Sequence, residues 1–222
     1  MKNLIPIILF LTPFSVFSQK LEFAPPKYES IETEIKNQKS KFYYPILLDK
    51  LITNDSTLTV EDYYYLYYGF VFQKEYKPYA RNTVEEKLTK YFQKPEIDSK
   101  DYDIIIQIIS ESINLLPFDL SQLNMLAYVY HLKGDEIMAK KISTRFHRIL
   151  ETILASGDGE KCETGFHVIY IQDEYVILNF FQMRPISQSL IGNCDYQSFE
   201  KGKYKKEGMY FNIQKMFESG IR

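Results

Sequence analysis

Residues 59–73 read TVEDYYYLYYGFVFQ. Thr59 is an N-cap residue with Asp62 three positions on, close to a capping box, and it opens a helix predicted over Val60 to Gln73. Tyr63, Tyr64, Tyr65, Leu66, Tyr67, Tyr68, Phe70, Val71 and Phe72 cover every face of that helix. A surface helix carries one apolar stripe, so this one is central and buried, its hydroxyls meeting polar partners at the margins. Consecutive aromatics point in all directions and cannot form one flat platform for a sugar ring. The absence of Trp beside 19 Tyr and 16 Phe weakens a sugar platform further.

Helical signals continue on both sides. Tyr28 to Gln38 reads as a polar helix, and Phe42 to Ile52 as an apolar one that stops at Asn54-Asp55-Ser56. Lys77-Pro78 breaks the aromatic element, and Thr83 to Phe92 follows as an amphipathic helix ended by Lys94-Pro95. Asp101 to Leu116 places Ile105, Ile109, Ile113 and Leu116 at helical spacing, and Leu120 to Leu132 places Leu123, Leu126, Ala127 and Tyr130 likewise. Asp135 to Leu154 shows Ile142, Phe146, Ile149 and Ile153, with Lys and Arg assigned to the other side. The turns at Pro117-Phe118-Asp119 and Lys133-Gly134-Asp135 are short, which predicts antiparallel neighbours.

After Ser156 the pattern changes. Phe166 to Ile171 alternates and is rich in β-branched and aromatic residues; Glu174 to Phe181 reads as a strand or a short helix. Ser189 to Ile191, Asp195 to Phe199 and Met209 to Ile213 complete the strand candidates, with Lys201 to Lys206 as a solvated hairpin loop. The expected class is α+β: an antiparallel helical body at 27–156, then a small antiparallel β-sheet within 157–222, together one domain.

The 222 residues carry 27 Lys plus Arg against 29 Asp plus Glu, so nothing pulls the chain toward nucleic acid, and a hydrophobic content of 45% argues against dominant disorder. Lys2, the apolar run Leu4 to Phe17 and the small Ser18 before Gln19 match a secretory signal peptide at 1–18. The run is too short to span a bilayer and contains Pro6 and Pro13, so no transmembrane anchor is expected after cleavage. Residues 19–26, ending in Pro25-Pro26, read as an extended arm. The expected location is periplasmic or secreted. In such a compartment Cys162 and Cys194 either form a disulfide or stay as two buried thiols, and without C-x-x-C spacing they make a poor metal site.

Leu123, Leu126, Ala127, Tyr130, Gly134, Asp135 and Ala139, after Pro117, are similar to a tetratricopeptide repeat over about one and a half repeats, departing at Ser143 and Phe146. On a wider scale, the leader, Glu61-Asp62-Tyr63 to Gly69, Tyr76-Lys77-Pro78-Tyr79 and Gly157-Asp158-Gly159 form one set of blocks. With Asp173-Glu174-Tyr175, Gln188-Ser189-Leu190, Cys194-Asp195 and Tyr210-Phe211-Asn212, the chain resembles the secreted bacterial family called domain of unknown function 4919. That resemblance implies an exported single-domain protein and assigns no activity.

For chemistry, His131 and His147 fall on helices and His167 on a strand candidate, with no H-E-x-x-H, nucleophile elbow, P-loop or dinucleotide glycine pattern. Asp158, Glu160 and Glu163 precede His167, and Asp173-Glu174 follows. His167 with Glu174 is the candidate acid–base pair, set against a solvated turn with helix or strand caps. Tyr76 and Tyr79 beside Pro78, together with Gln188, are the candidate binding residues. No metal or cofactor is expected. The leading expectation is a non-catalytic module that contacts an envelope or extracellular protein or peptide. The alternative is a small-ligand-binding protein or hydrolase-like enzyme with a pocket where helices meet sheet.

Overall fold

The computed structural model describes residues 23–79, 84–93 and 96–220, so the leader, the start of the arm and the Lys94-Pro95 stop lie outside the described residues. Helix α1 spans Tyr28–Lys36, α2 Tyr44–Ile52 and α3 Val60–Gly69. The capping box at the start of α3 closes as the sequence predicts: Thr59 Oγ1 accepts from the Asp62 amide at 3.2 Å, and Asp62 Oδ2 accepts from the Thr59 amide at 2.8 Å. The predicted length is shortened, since α3 tightens into a 3-10 turn at Phe70–Phe72. At that point Gly69 lies against Ile35 of α1 and Tyr44 of α2, where a Cβ would approach both at 3.2 Å. The missing side chain lets three helices meet.

Helix α4 covers Val84–Leu88 and continues as a 3-10 turn, followed by α5 at Tyr102–Leu115, α6 at Leu120–Lys133 and α7 at Glu136–Leu154. Asp119 caps α6 through the Gln122 amide, and Gly134, at φ 84°, ends it in the left-handed conformation a side chain resists. Asp135 then caps α7 through the Met138 amide at 3.1 Å. Helices α6 and α7 therefore form the expected hairpin. One assignment on α7 is corrected: Arg145 is not on the solvent side but buried between Ile142 and Ile149, three and four residues away on the same helix face.

Beyond Ser156 come β1 (Phe166–His167), α8 (Ile171–Phe180), β2 (Pro185–Ile191), β3 (Cys194–Phe199), β4 (Gly208–Asn212) and α9 (Gln214–Gly220). The sheet order is β1-β4-β3-β2. Strands β2, β3 and β4 are antiparallel neighbours, as expected, but β1 pairs with β4 in parallel, so the sheet is mixed. The predicted strand at 166–171 stops after two residues because the Ile169 amide and carbonyl bond to tyrosine hydroxyls instead of a neighbouring strand. The ambiguous stretch from Glu174 becomes the helix α8, which buries Asp173, Glu174, Ile177 and Leu178 on one face. Among the described residues no helix is long and apolar enough to cross a membrane.

The core runs from α1–α3 through α5–α7 to the sheet, with Leu66, Tyr67 and Tyr68 fully buried at its centre. Cys162, just before β1, is bonded to Cys194 at the head of β3, with the Cα atoms 5.7 Å apart. Closing this loop restricts the unfolded chain by about 3 to 4 kcal/mol in the chain-entropy picture. The Cys162→Ala/Cys194→Ala variant is expected to lose a stability of that order in urea unfolding, and the native protein to expose no alkylatable thiol before reduction.

Candidate functional site

The junction of helices and sheet is built by two tyrosines of the central helix and by Tyr76 just beyond it. Tyr67 Oη donates to Asp173 Oδ2 at 2.6 Å and accepts from the Ile169 amide at 3.2 Å. Tyr76 Oη donates to the Ile169 carbonyl at 2.8 Å, and Tyr68 Oη lies 3.3 Å from the carbonyls of Thr152 and His167. Burial pushes all three phenols far above their ordinary range, so they act as neutral donors.

Asp173 and Glu174 occupy the first turn of α8 and have no exposed surface. Burial drives the Asp173 carboxyl well above the ordinary carboxylate range; the Tyr67 hydrogen bond pulls it back, and the Asp119 carboxyl adds to the rise. Glu174 is pushed up to about 9, chiefly by burial and further by the neighbouring Asp195 carboxyl, while the hydrogen bond from the Gln197 amide opposes the rise. Gln197 Nε2 donates to Glu174 Oε2 at 2.7 Å, and Gln188 Nε2 donates to Asp195 Oδ2 at 2.6 Å. At neutral pH Asp173 and Glu174 hold protons rather than charges.

Of the predicted residues, Glu174 and Gln188 thus join one polar seam through Asp195. His167 does not enter it. Its Nδ1 is buried without a partner, no described hydrogen bond or ion pair joins its ring to a carboxylate, and burial lowers its pKa to about 4. Tyr76 is buried in the core, whereas Tyr79 is exposed, so the two do not share one binding face. In the preceding loop, Asp158 Oδ1 accepts from the Glu160 amide at 2.8 Å and from Thr164 Oγ1 at 2.6 Å, bracing the turn. Among the described residues no group of three or more His, Cys, Asp or Glu is placed to hold a metal. Asp195 and Gln197 are not among the candidate site residues of the sequence; their signal is the alternation Asp195, Gln197, Phe199, which places polar groups on the inward face of β3.

Accessible apolar surface lies at the β2 edge of the sheet. Strand β2 forms the sheet edge and pairs with β3 alone. Ile186, Leu190 and Ile191 are 68%, 58% and 44% exposed, and the strand carries no charged residue. Tyr175 of α8 reaches Gln188 of β2 at 3.5 Å, and Phe180 and Phe181 extend the exposed apolar surface at the end of α8. Natural edge strands are normally guarded by charge or cover, and β2 has only a register irregularity between Pro185 and Ser187.

The buried carboxyls give folding a defined pH dependence. Asp173 and Glu174 take up protons on folding, so their contribution is full below the ordinary carboxyl value of about 4 and is lost as pH rises, for Glu174 through about 9. His167 has the opposite sign: its contribution is full above about 6.5 and is lost as pH falls through about 4. Between about pH 7 and about pH 9, only the carboxyls of these three change stability, and the urea midpoint is expected to fall. Glu174→Gln should flatten that slope. Tyr67→Phe should cost about 1 to 3 kcal/mol at any pH, because the Ile169 amide loses its acceptor.

No curated protein matches this chain, and no solved structure does either. The family description that matches, "Domain of unknown function (DUF4919)", names no reaction, ligand or partner. It covers α1 through α9 and thus both the tyrosine-lined seam and the β2 edge. The chain belongs to the DUF4919 family, whose model matches residues 29–222.

Proposed function

We propose that this is an exported, non-catalytic interaction module that takes an extended segment of a partner protein or peptide onto the free edge of β2. The observation that carries this reading is the edge itself: seven residues without charge, with three exposed aliphatic side chains and one unpaired side. An added strand gains main-chain hydrogen bonds from such an edge, and alternate side chains supply specificity. The pattern at 1–18 and the Cys162–Cys194 bond support export, since disulfides persist in oxidising compartments. An acid–base reaction at the junction has less support. Glu174 is closed to solvent, and among the described residues His167 has no carboxylate partner with which to pass a proton.

The test immobilises the protein and its Ile186→Lys/Leu190→Lys variant and passes an envelope fraction over both. Both positions are solvent-exposed, so stability should change by no more than about 0.5 kcal/mol per site. One partner is expected to be retained by the native chain and reduced about tenfold or more by the variant, because two buried lysines would leave unpaired charges. Equal retention on both would remove β2 from the reading. An activity lost in His167→Ala and Glu174→Ala but kept in the lysine variant would favour chemistry at the junction.

A further inference from the structure

A second site lies within the helical body and uses no residue of β2 or α8. A pocket of about 330 Å³ opens between the α2–α3 loop and one face of α7. Its volume falls at the small end of the range for small-molecule sites. Leu58 and Tyr63 form apolar walls, and Ile137 stands at the mouth, 73% exposed.

The unusual member of the lining is Arg145. It is 5% exposed, and one of its terminal nitrogens donates to the Pro117 carbonyl in the α5–α6 turn. Its Nε is buried without a partner, and among the described residues no carboxylate pairs with it. The groups that act on it electrostatically are the phenols of Tyr63 and Tyr44, both held neutral by burial. Burial lowers the guanidinium to about 10, still charged at neutral pH. An uncompensated buried cation costs several kcal/mol, and an anion brought beside it recovers much of that cost.

The surroundings narrow the class of anion. Lys140 and Lys141, on the same helix, line the pocket toward solvent and take part in no ion pair among the described residues. Asp55 is the acid at the mouth, but its Oδ1 is engaged by the Thr57 amide at 2.8 Å, and hydrogen bonding from Thr57, with smaller help from Lys50 and Lys141, holds its carboxyl below the ordinary range. Asn54, at φ 52°, lines the pocket with a buried Oδ1 that lacks any donor. A guanidinium fork matches a planar carboxylate, the walls match hydrocarbon, and the free Asn54 oxygen takes an N–H or O–H. We propose that this pocket binds a small carboxylate carried on an apolar body. Two sources share that chemistry: a free aliphatic acid, and an apolar amino acid or peptide end whose amide supplies the donor for Asn54.

Isothermal titration of the full chain with octanoate, N-acetyl-leucine, octanol and inorganic phosphate tests the assignment. The two carboxylates are expected to bind and the neutral octanol to bind at least about tenfold more weakly, since it leaves Arg145 unpaired. Stronger binding of N-acetyl-leucine than of octanoate would identify the amide-bearing source, and the reverse order the aliphatic acid. Arg145→Met should weaken carboxylate binding by about tenfold or more. Should that variant fail to fold, Lys140→Glu/Lys141→Glu, changed only at exposed positions, should weaken it and reverse its salt dependence. Absence of carboxylate binding, equal binding of octanol, tighter binding of phosphate, or affinity unchanged in both variants would overturn the proposal.

Discussion

The Tyr67 hydroxyl donates to Asp173 while accepting from the Ile169 amide, and it does so from a side chain with no exposed surface. Asp173 follows Tyr67 by 106 positions in the chain. The segment from His167 to Asp173 is tied to the helical body through this contact and its companions at Tyr68 and Tyr76. Because Ile169 bonds to two phenols, it leaves the sheet, and the chain turns into α8 with Asp173 and Glu174 facing inward. Phenylalanine at these positions would fill the same volume, but the Ile169 peptide would be left without its partners in a dry interior.

Two ways of placing ionisable groups in a core stand side by side. At the junction, the acids are neutralised: Glu174 keeps its proton, and Gln197 and Gln188 supply amide donors around it and Asp195. That arrangement removes the charge from the interior, although Glu174 Oε1 and Gln197 Oε1 stay buried without a partner. Arg145 cannot lose its charge in the same way, because a guanidinium stays protonated even when burial lowers its pKa. A backbone carbonyl satisfies one of its donors and leaves the charge unmatched. The first arrangement builds structure; the second leaves an electrostatic demand beside an open cavity.

Much of this architecture was legible in the chain itself. Thr59 with Asp62, the all-round aromatic helix and the Gly134 turn are local signals, and each formed where its chemistry placed it. The change of pattern after Ser156 likewise located the sheet. What escaped were the long-range partners. Nothing near Phe166 announces that hydroxyls from α3 and Tyr76 will take over the Ile169 peptide, so the first strand was read too long. Residues from Glu174 onward are apolar at both strand and helix spacings, and only the buried Asp173–Glu174 pair selects the helix. Arg145 was legible in principle, since its spacing from Ile142 and Ile149 places it on their face; its charge obscured that geometry. Glu174 and Gln188 proved to be linked through Asp195, an inward position on β3 that only strand alternation could have indicated.

The bond between Cys162 and Cys194 encloses β1, α8 and β2 within one covalent ring. The exposed links of that ring, at Gln182–Arg184 and at Gly192–Asn193, are where a protease would find the backbone. A single cut at either place leaves both pieces tethered, with their ends still anchored at Cys162 and Cys194. The ring thus turns a severed chain into a wounded but continuous one.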